Sequence, residues 1–243
     1  MKPTTFDARW LQRVLADLGH YTGVIDGDIG PNTNAAIVAF KRANGLRPRP
    51  YVGPLTLKML EDVSSDAMPI KFGPDTAPEP PWLVEIAKVM GLHEVHDNAE
   101  LSAWLRSDGS TLGDPAQYPW CGDAAITALE LALPDEPLPP DLERNPYWAR
   151  SFAKYGEPCG FVRGAVLSFS RGKGGHVGFG MAWDQSRNRF LVRGGNQSNA
   201  VTDTWIAGSR LLAKRWPLTW SRNYQRAMPQ IDSATANIST NEA

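Results

Sequence analysis

The first apolar rhythm in the chain is helical. Leu11, Val14, Leu15 and Leu18 recur at i, i+3, i+4 and i+7, and the run stops at Gly19. A turn through residues 21–29 follows, then Gly30-Pro31, with proline suited to a first helical position, and a second run carrying Ala36, Ile37 and Phe40 that closes near Gly45. Gly53-Pro54 starts a third, shorter run with Leu57 and Leu60. Three short helices are therefore predicted before residue 62. Between 62 and 81 neither period holds, and prolines at 69, 74, 78, 80 and 81 predict a linker.

Beyond that stretch both periods appear. A helical run from Ala124 to Leu133 lines one face with small side chains, since Cys121, Ala124, Ala125, Ala128 and Ala132 fall at helical spacing. Period-2 alternation sets in after Gly174. It puts His176, Gly178, Gly180 and Ala182 on one face and Val177, Phe179, Met181 and Trp183 on the other. Asp184 to Asn188 predicts a turn, and Arg189 to Gln197 the next strand. The Ser-, Thr- and Asn-rich end predicts a disordered tail, placed at 228–243.

Composition changes this picture little. At 243 residues with ordinary apolar and charged fractions, the chain has room for two soluble units. A net charge of −1 without a dense Lys/Arg cluster gives no basis for nucleic-acid binding or for attraction to an anionic membrane. No stretch is long and apolar enough to insert in a bilayer, and the first residues lack an apolar signal core. Synthesis in the cytoplasm without a signal peptide is the resulting expectation. Nothing in the pattern points beyond a monomer.

The candidate chemistry centres on Cys121, set between Tyr118-Pro119-Trp120 and a helix start whose free N–H groups and partial positive charge favour a thiolate and later an oxyanion. A base is needed. His176, in Gly174-Gly175-His176-Val177, opens a strand downstream, and the two small-residue faces are expected to let helix and strand approach closely. A third group should hold the ring tautomer. Continuing the parity of Phe190 and Val192 selects Asn196, with Gln197 on the opposite parity and Asn188 in the turn as weaker rivals. Tyr118, Trp120 and Asp123 are the candidate substrate contacts; Asp123 could equally serve the helix dipole. Cys159, in a turn before a strand, is expected to be structural. No metal or other cofactor is called for: His93-Glu94-Val95-His96 misses the spacing of a zinc helix, and Asp26-Gly27-Asp28-Ile29-Gly30-Pro31 breaks the calcium-loop pattern at Gly30 and Pro31.

Two resemblances sharpen these readings. Trp120-Cys121, the segment Gly164 to Gly172, Gly175-His176-Val177-Gly178-Phe179 and Gly194-Gly195-Asn196-Gln197 together resemble the papain-like cysteine peptidases and amidases of the NlpC/P60 and CHAP type, over roughly residues 82–227. The Cys-His-Asn set is nearer the CHAP pattern, although Gly194 stands where CHAP members often carry a glutamate. Leu11-Gln12, Gly19-His20-Tyr21, Asp26-Gly27, Gly30-Pro31, Ala39-Phe40-Lys41-Arg42-Ala43-Asn44-Gly45-Leu46 and Val52-Gly53-Pro54 resemble the peptidoglycan-binding domain 1 family, over residues 1–61. The implied fold is an α+β papain-like domain joined to an all-α three-helix module. The implied function is hydrolysis of an amide in the peptide of bacterial peptidoglycan, as endopeptidase or N-acetylmuramoyl-L-alanine amidase, with Cys121, His176 and Asn196 catalytic. Such an enzyme resembles a phage or prophage lysin, reaching the wall after holin-type release or on a phage-like particle. A muramidase, an acyltransferase and a catalytically inactive wall-binding or particle protein are the alternatives.

Overall fold

The computed structural model describes residues 7–63, 78–220 and 222–233. Three helices open the chain: α1 (Ala8–Asp17), α2 (Pro31–Ala43) and α3 (Pro54–Val63). Asp7 caps α1 by accepting from the Arg9 N–H, and Pro31 occupies the start of α2. Their apolar faces, Leu11, Leu15, Ile37, Phe40, Leu57 and Leu60 among them, form one small core. Gln12 is buried beside it and organises the 26–28 loop. Its amide donates to Asp26 Oδ1 (2.8 Å) and to the Asp28 carbonyl (3.0 Å) and accepts from the Gly27 N–H (2.8 Å), so the Asp26 carboxylate is engaged by a side-chain amide.

Of the predicted linker, residues 64–77 lie outside the described part, and its last residue, Pro81, begins α4 (Pro81–Ala87). The second unit adds α5 (Asn98–Leu105), α6 (Cys121–Ala132), α7 (Pro140–Arg144) and a 3-10 helix, Ala149–Lys154. Its strands are β1 (Glu157–Pro158), β2 (Val166–Arg171), β3 (Gly174–Asp184), β4 (Arg189–Gln197), β5 (Ala200–Ala207) and β6 (Leu211–Trp216). They form one antiparallel sheet in the order β1-β6-β2-β3-β4-β5.

Two apolar clusters share this sheet. Val177, Phe179 and Met181 join α4 and α6 in one, while Leu167, Phe169, Phe190, Val192 and Met228 make the other. Helix α6 is central, with every residue from Cys121 to Glu130 buried. Its small face is what allows close packing, although against a different partner from the one the sequence suggested. A Cβ on Gly195 of β4 would come within 2.6 Å of Ala124 Cβ and 2.4 Å of the Trp120 ring. The glycines of β3 serve other neighbours: a side chain on Gly180 would strike Met228, and one on Gly178 would meet Val192. Alternation explains this, because residues of that parity face the second cluster.

The two units are docked rather than merely strung together. Lys41 of α2 reaches Asp135, just past α6, at 2.6 Å with both side chains fully buried, and Thr56 of α3 donates to the same carboxylate. Arg47 and Arg49 pair with Glu130 at 2.5 and 3.2 Å. The adjoining Glu136 accepts from the Leu218 and Thr219 N–H groups, so the turn after α6 ties the N-terminal helices, α6 and the C-terminal segment together.

The predicted tail needs correcting at its near end. Met228 is buried in the second cluster, the Trp183 N–H donates to the Pro229 carbonyl, and the Ser233 N–H donates to Asp184 at 2.8 Å. Composition hid this, because the anchoring comes from one methionine, from backbone groups and from the ordinary polar side chains of Asp232 and Ser233. Residues 234–243 lie outside the described part.

Candidate active site

Cys121 is the first residue of α6, one turn earlier than the apolar run alone implied. Trp120 precedes it as N-cap with no side-chain cap bond, so the N–H groups of the first turn point toward the sulfur. Burial pushes the Cys121 thiol up. Hydrogen bonding to the Val177, Gly122 and Cys121 N–H groups opposes this, as does the Arg171 charge. The Val177 N–H belongs to the peptide that follows His176, so the sulfur meets the β3 backbone beside the histidine, while the ring itself, opposite Phe169 and of the same parity as Gly178 and Gly180, turns to the other face of the sheet and does not line the cleft.

Although only 5 % exposed, the sulfur-bearing residue borders an open cleft of about 470 Å³. The cleft walls include Leu112, Tyr118, Tyr147, Trp148, Arg171 and Gly175. Tyr118 and Trp148 are 53 % and 45 % exposed, which leaves two aromatic faces at the rim. One wall approaches the nucleophile so closely that only glycine fits beneath it. A Cβ on Gly122 would lie 2.0 Å from the Tyr147 carbonyl oxygen.

His176 is fully buried, and its Nε2 lies 3.1 Å from Oε1 of Gln197. The amide is locked from the other side, where its Nε2 donates to the Val192 carbonyl at 3.1 Å and to the Thr202 carbonyl. Its oxygen must then face the ring as an acceptor. A neutral imidazole meeting an acceptor through Nε2 carries its proton there and its lone pair on Nδ1.

Gln197 thus stands where parity had placed Asn196. The register of β4 against β5 shifts between Gly194 and Gln197, and Asn196 sits in the left-handed region at φ +56°. A bulge of this kind inserts one residue and reverses the alternation. Asn196 is itself buried, and among the described residues its Oδ1 makes no hydrogen bond. The two adjacent glycines were the available signal for such an irregularity. Just beyond, Ser198 and Asn199 both have positive φ and join β4 to β5 in a two-residue turn with Gln197 opposite Ala200.

The candidate substrate contacts divide. Tyr118 lines the cleft, whereas Trp120 is 1 % exposed and donates from Nε1 to Glu94 at 2.8 Å. Asp123 is fully buried, accepting from the Leu112 N–H (2.9 Å) and the Thr111 hydroxyl (3.0 Å). Burial raises its carboxyl to about 6 against those hydrogen bonds. It braces the 111–113 loop, which contributes Leu112 to the cleft, and offers no exposed surface to a substrate. Both contacts were misplaced for one reason: neighbours of a nucleophile on a helix start point inward as readily as outward.

Glu94 accepts from the Trp120 indole, and the His93 and His96 rings lie against each other tilted by 38°, with centroids 4.7 Å apart. Among the described residues no cluster of three metal-ligating side chains occurs, and no helix is long and apolar enough to cross a membrane. Cys159 is half-buried, its thiol pushed up to about 11 by burial.

Comparison with known proteins places residues 7–60 in the putative peptidoglycan binding domain family. The chain is also 42 % identical over 59 residues to the N-acetylmuramoyl-L-alanine amidase CwlM of Mycobacterium tuberculosis, a stretch covering 24 % of this chain and 14 % of that protein. No solved structure matches. The N-terminal unit is therefore a helical peptidoglycan-binding domain, joined to a domain built on a six-stranded antiparallel sheet.

Proposed function

We propose that this protein is a peptidoglycan hydrolase whose second domain, approximately residues 82–227, is papain-like and cleaves an amide of the wall peptide through Cys121. The observation that carries the reading is the opening of Cys121, at a helix N-terminus, onto a cleft whose walls include the residues just before His176. We keep His176 as the base, with Gln197 holding its tautomer; because the ring lies on the β3 face opposite the one that Val177 turns to the sulfur, proton transfer requires this end of β3 to turn the ring toward Cys121. Asn196, the sequence-based choice for that role, is set aside because the ring meets Gln197.

With its thiol raised by burial, Cys121 depends on that base for activation. The sulfur loses its proton to the imidazole brought round to it and attacks the amide carbonyl. First-turn N–H groups stabilise the oxyanion, a contribution worth roughly 10² to 10³ in rate per donor in such sites. The imidazolium then protonates the leaving amine, and water activated by the same ring hydrolyses the thioester. The helical module holds the enzyme on its polymer, in the setting of a phage or prophage lysin. The amidase name of the mycobacterial relative is consistent with cleavage of the bond between sugar and peptide.

Digestion of purified peptidoglycan tests the reading. New amino groups should appear without new reducing ends, and Cys121→Ala should abolish them. Release of amino groups at an undiminished rate by that variant would overturn the proposal.

A further inference from the structure

Among the described residues that line the cleft, Arg171 alone is charged. It ends β2, paired with Gly174 across the turn to β3. That turn is pinned from outside, because Arg150 donates to the Gly174 carbonyl at 2.6 Å and to the Gly172 carbonyl at 2.9 Å. Arg150 is thereby committed to backbone, while Arg171 fronts the cleft close enough for its charge to act on the Cys121 sulfur. Asp108 and Asp123 influence the neighbouring Tyr147, but neither lines the cleft. The rest of the described wall is uncharged, with Tyr118, Tyr147 and Trp148 as its aromatic part, Asn145 as its amide and Leu112 as its largest aliphatic residue. A cleft whose described lining carries one guanidinium and no acid is matched to an anion, and the planar fork of arginine suits a carboxylate.

We propose that Arg171 is a specificity residue that binds a free carboxylate on the substrate beside the scissile amide, so that the enzyme selects acidic wall peptides over their amidated or neutral counterparts. This rests on Cys121 being the nucleophile in that cleft. Arg171 acts by holding the substrate's anion next to the sulfur. Its effect on sulfur ionisation is a separate matter, and the two are separable by experiment.

Iodoacetate and iodoacetamide provide the separation. Each is attacked by the Cys121 thiolate, forming an S–C bond and expelling iodide, and they differ in the carboxylate. Any change in sulfur ionisation alters both rates alike and cancels in their ratio. With modification at Cys121 resolved from Cys159 by peptide mass spectrometry, the iodoacetate-to-iodoacetamide ratio should fall roughly tenfold in Arg171→Gln, the scale set by loss of one charged hydrogen bond. Arg171→Lys should retain part of the preference. In the unaltered protein added salt should lower the same ratio, an arm that needs no variant. A ratio unmoved by both Arg171→Gln and salt, in a protein whose Cys121 still alkylates and still releases amino groups from peptidoglycan, would overturn the role of Arg171 alone. Failure of Cys121 to react with either reagent would remove the hydrolase reading and this inference with it.

Discussion

Gln197 presents its amide oxygen to His176 Nε2 at 3.1 Å while its own nitrogen is spent on the Val192 and Thr202 carbonyls. An amide fixed at one end can only accept at the other, so the ring is oriented and its tautomer chosen before any substrate arrives. Gln197→Ala should therefore lower kcat by about 10²-fold with little change in KM, the magnitude expected when a general base loses its orientation. Gln197→Glu, which keeps an acceptor, should recover part of the loss. Asn196→Gly should remain within a few-fold of the parent, because the left-handed backbone there suits glycine. Steady-state kinetics on peptidoglycan fragments check all three, and an Asn196 variant more impaired than the Gln197 variant would reverse the assignment.

Gly122 is fixed by the Tyr147 carbonyl, which a Cβ would approach to 2.0 Å. That contact is with backbone, so it cannot be relieved by swinging a side chain aside. Gly122→Ala should displace the 145–148 wall of the cleft and cost about 1–3 kcal/mol, the range for overpacking a tight site. Urea unfolding measures the cost. Tryptophan fluorescence, to which Trp148 at the rim contributes, should report the displaced wall.

Asp135 holds the two domains together through fully buried contacts with Lys41 and Thr56. Desolvation lowers the Lys41 pKa, and the carboxylate is what keeps the ammonium tolerable there. Asp135→Ala should destabilise the docked arrangement by about 3–5 kcal/mol, since it leaves an uncompensated buried charge. The paired change Lys41→Met with Asp135→Leu should cost far less, because apolar groups of similar size replace both ions. Limited proteolysis between residues 64 and 77 and a double-mutant cycle on Tm would show the difference. Equal loss in single and paired variants would mean that the contact contributes shape alone.

How much of this was legible differs by element. The three N-terminal helices were, because each has apolar periodicity and a Gly-Pro or glycine boundary, and all three signals agree with the tertiary packing. Cys121 and His176 drew attention because a thiol at a helix start and a histidine after two glycines are uncommon local settings; of these, the structure shows the helix start at Cys121. Gln197 was not selected, since parity counting assumes an unbroken strand and the bulge at residues 194–197 breaks it. The Lys41–Asp135 contact was beyond reach for another reason: nothing local marks a lysine whose partner lies 94 positions away in another domain. Arg171 and Gly122 likewise acquire meaning only from what the fold places opposite them.

Asp123 makes stability depend on pH in an unusual direction for a carboxylate. Its pKa is raised from 3.8 to about 6 because burial outweighs the hydrogen bonds from Leu112 and Thr111. The folded state therefore holds this proton more tightly than the unfolded chain does. Its contribution to stability is complete below about pH 4 and is lost as pH rises through 6. A shift of this size corresponds to about 3 kcal/mol at most, from roughly two units at 1.36 kcal/mol each. Asp123→Asn keeps an acceptor for both donors and cannot ionise, so the stability difference between variant and parent should move in the variant's favour between pH 4 and 7. Other titrating groups are common to both proteins and cancel in that difference. Urea unfolding of the pair across this range is the measurement, and a difference flat with pH would show that the Asp123 carboxylate ionises as readily in the folded protein as in water.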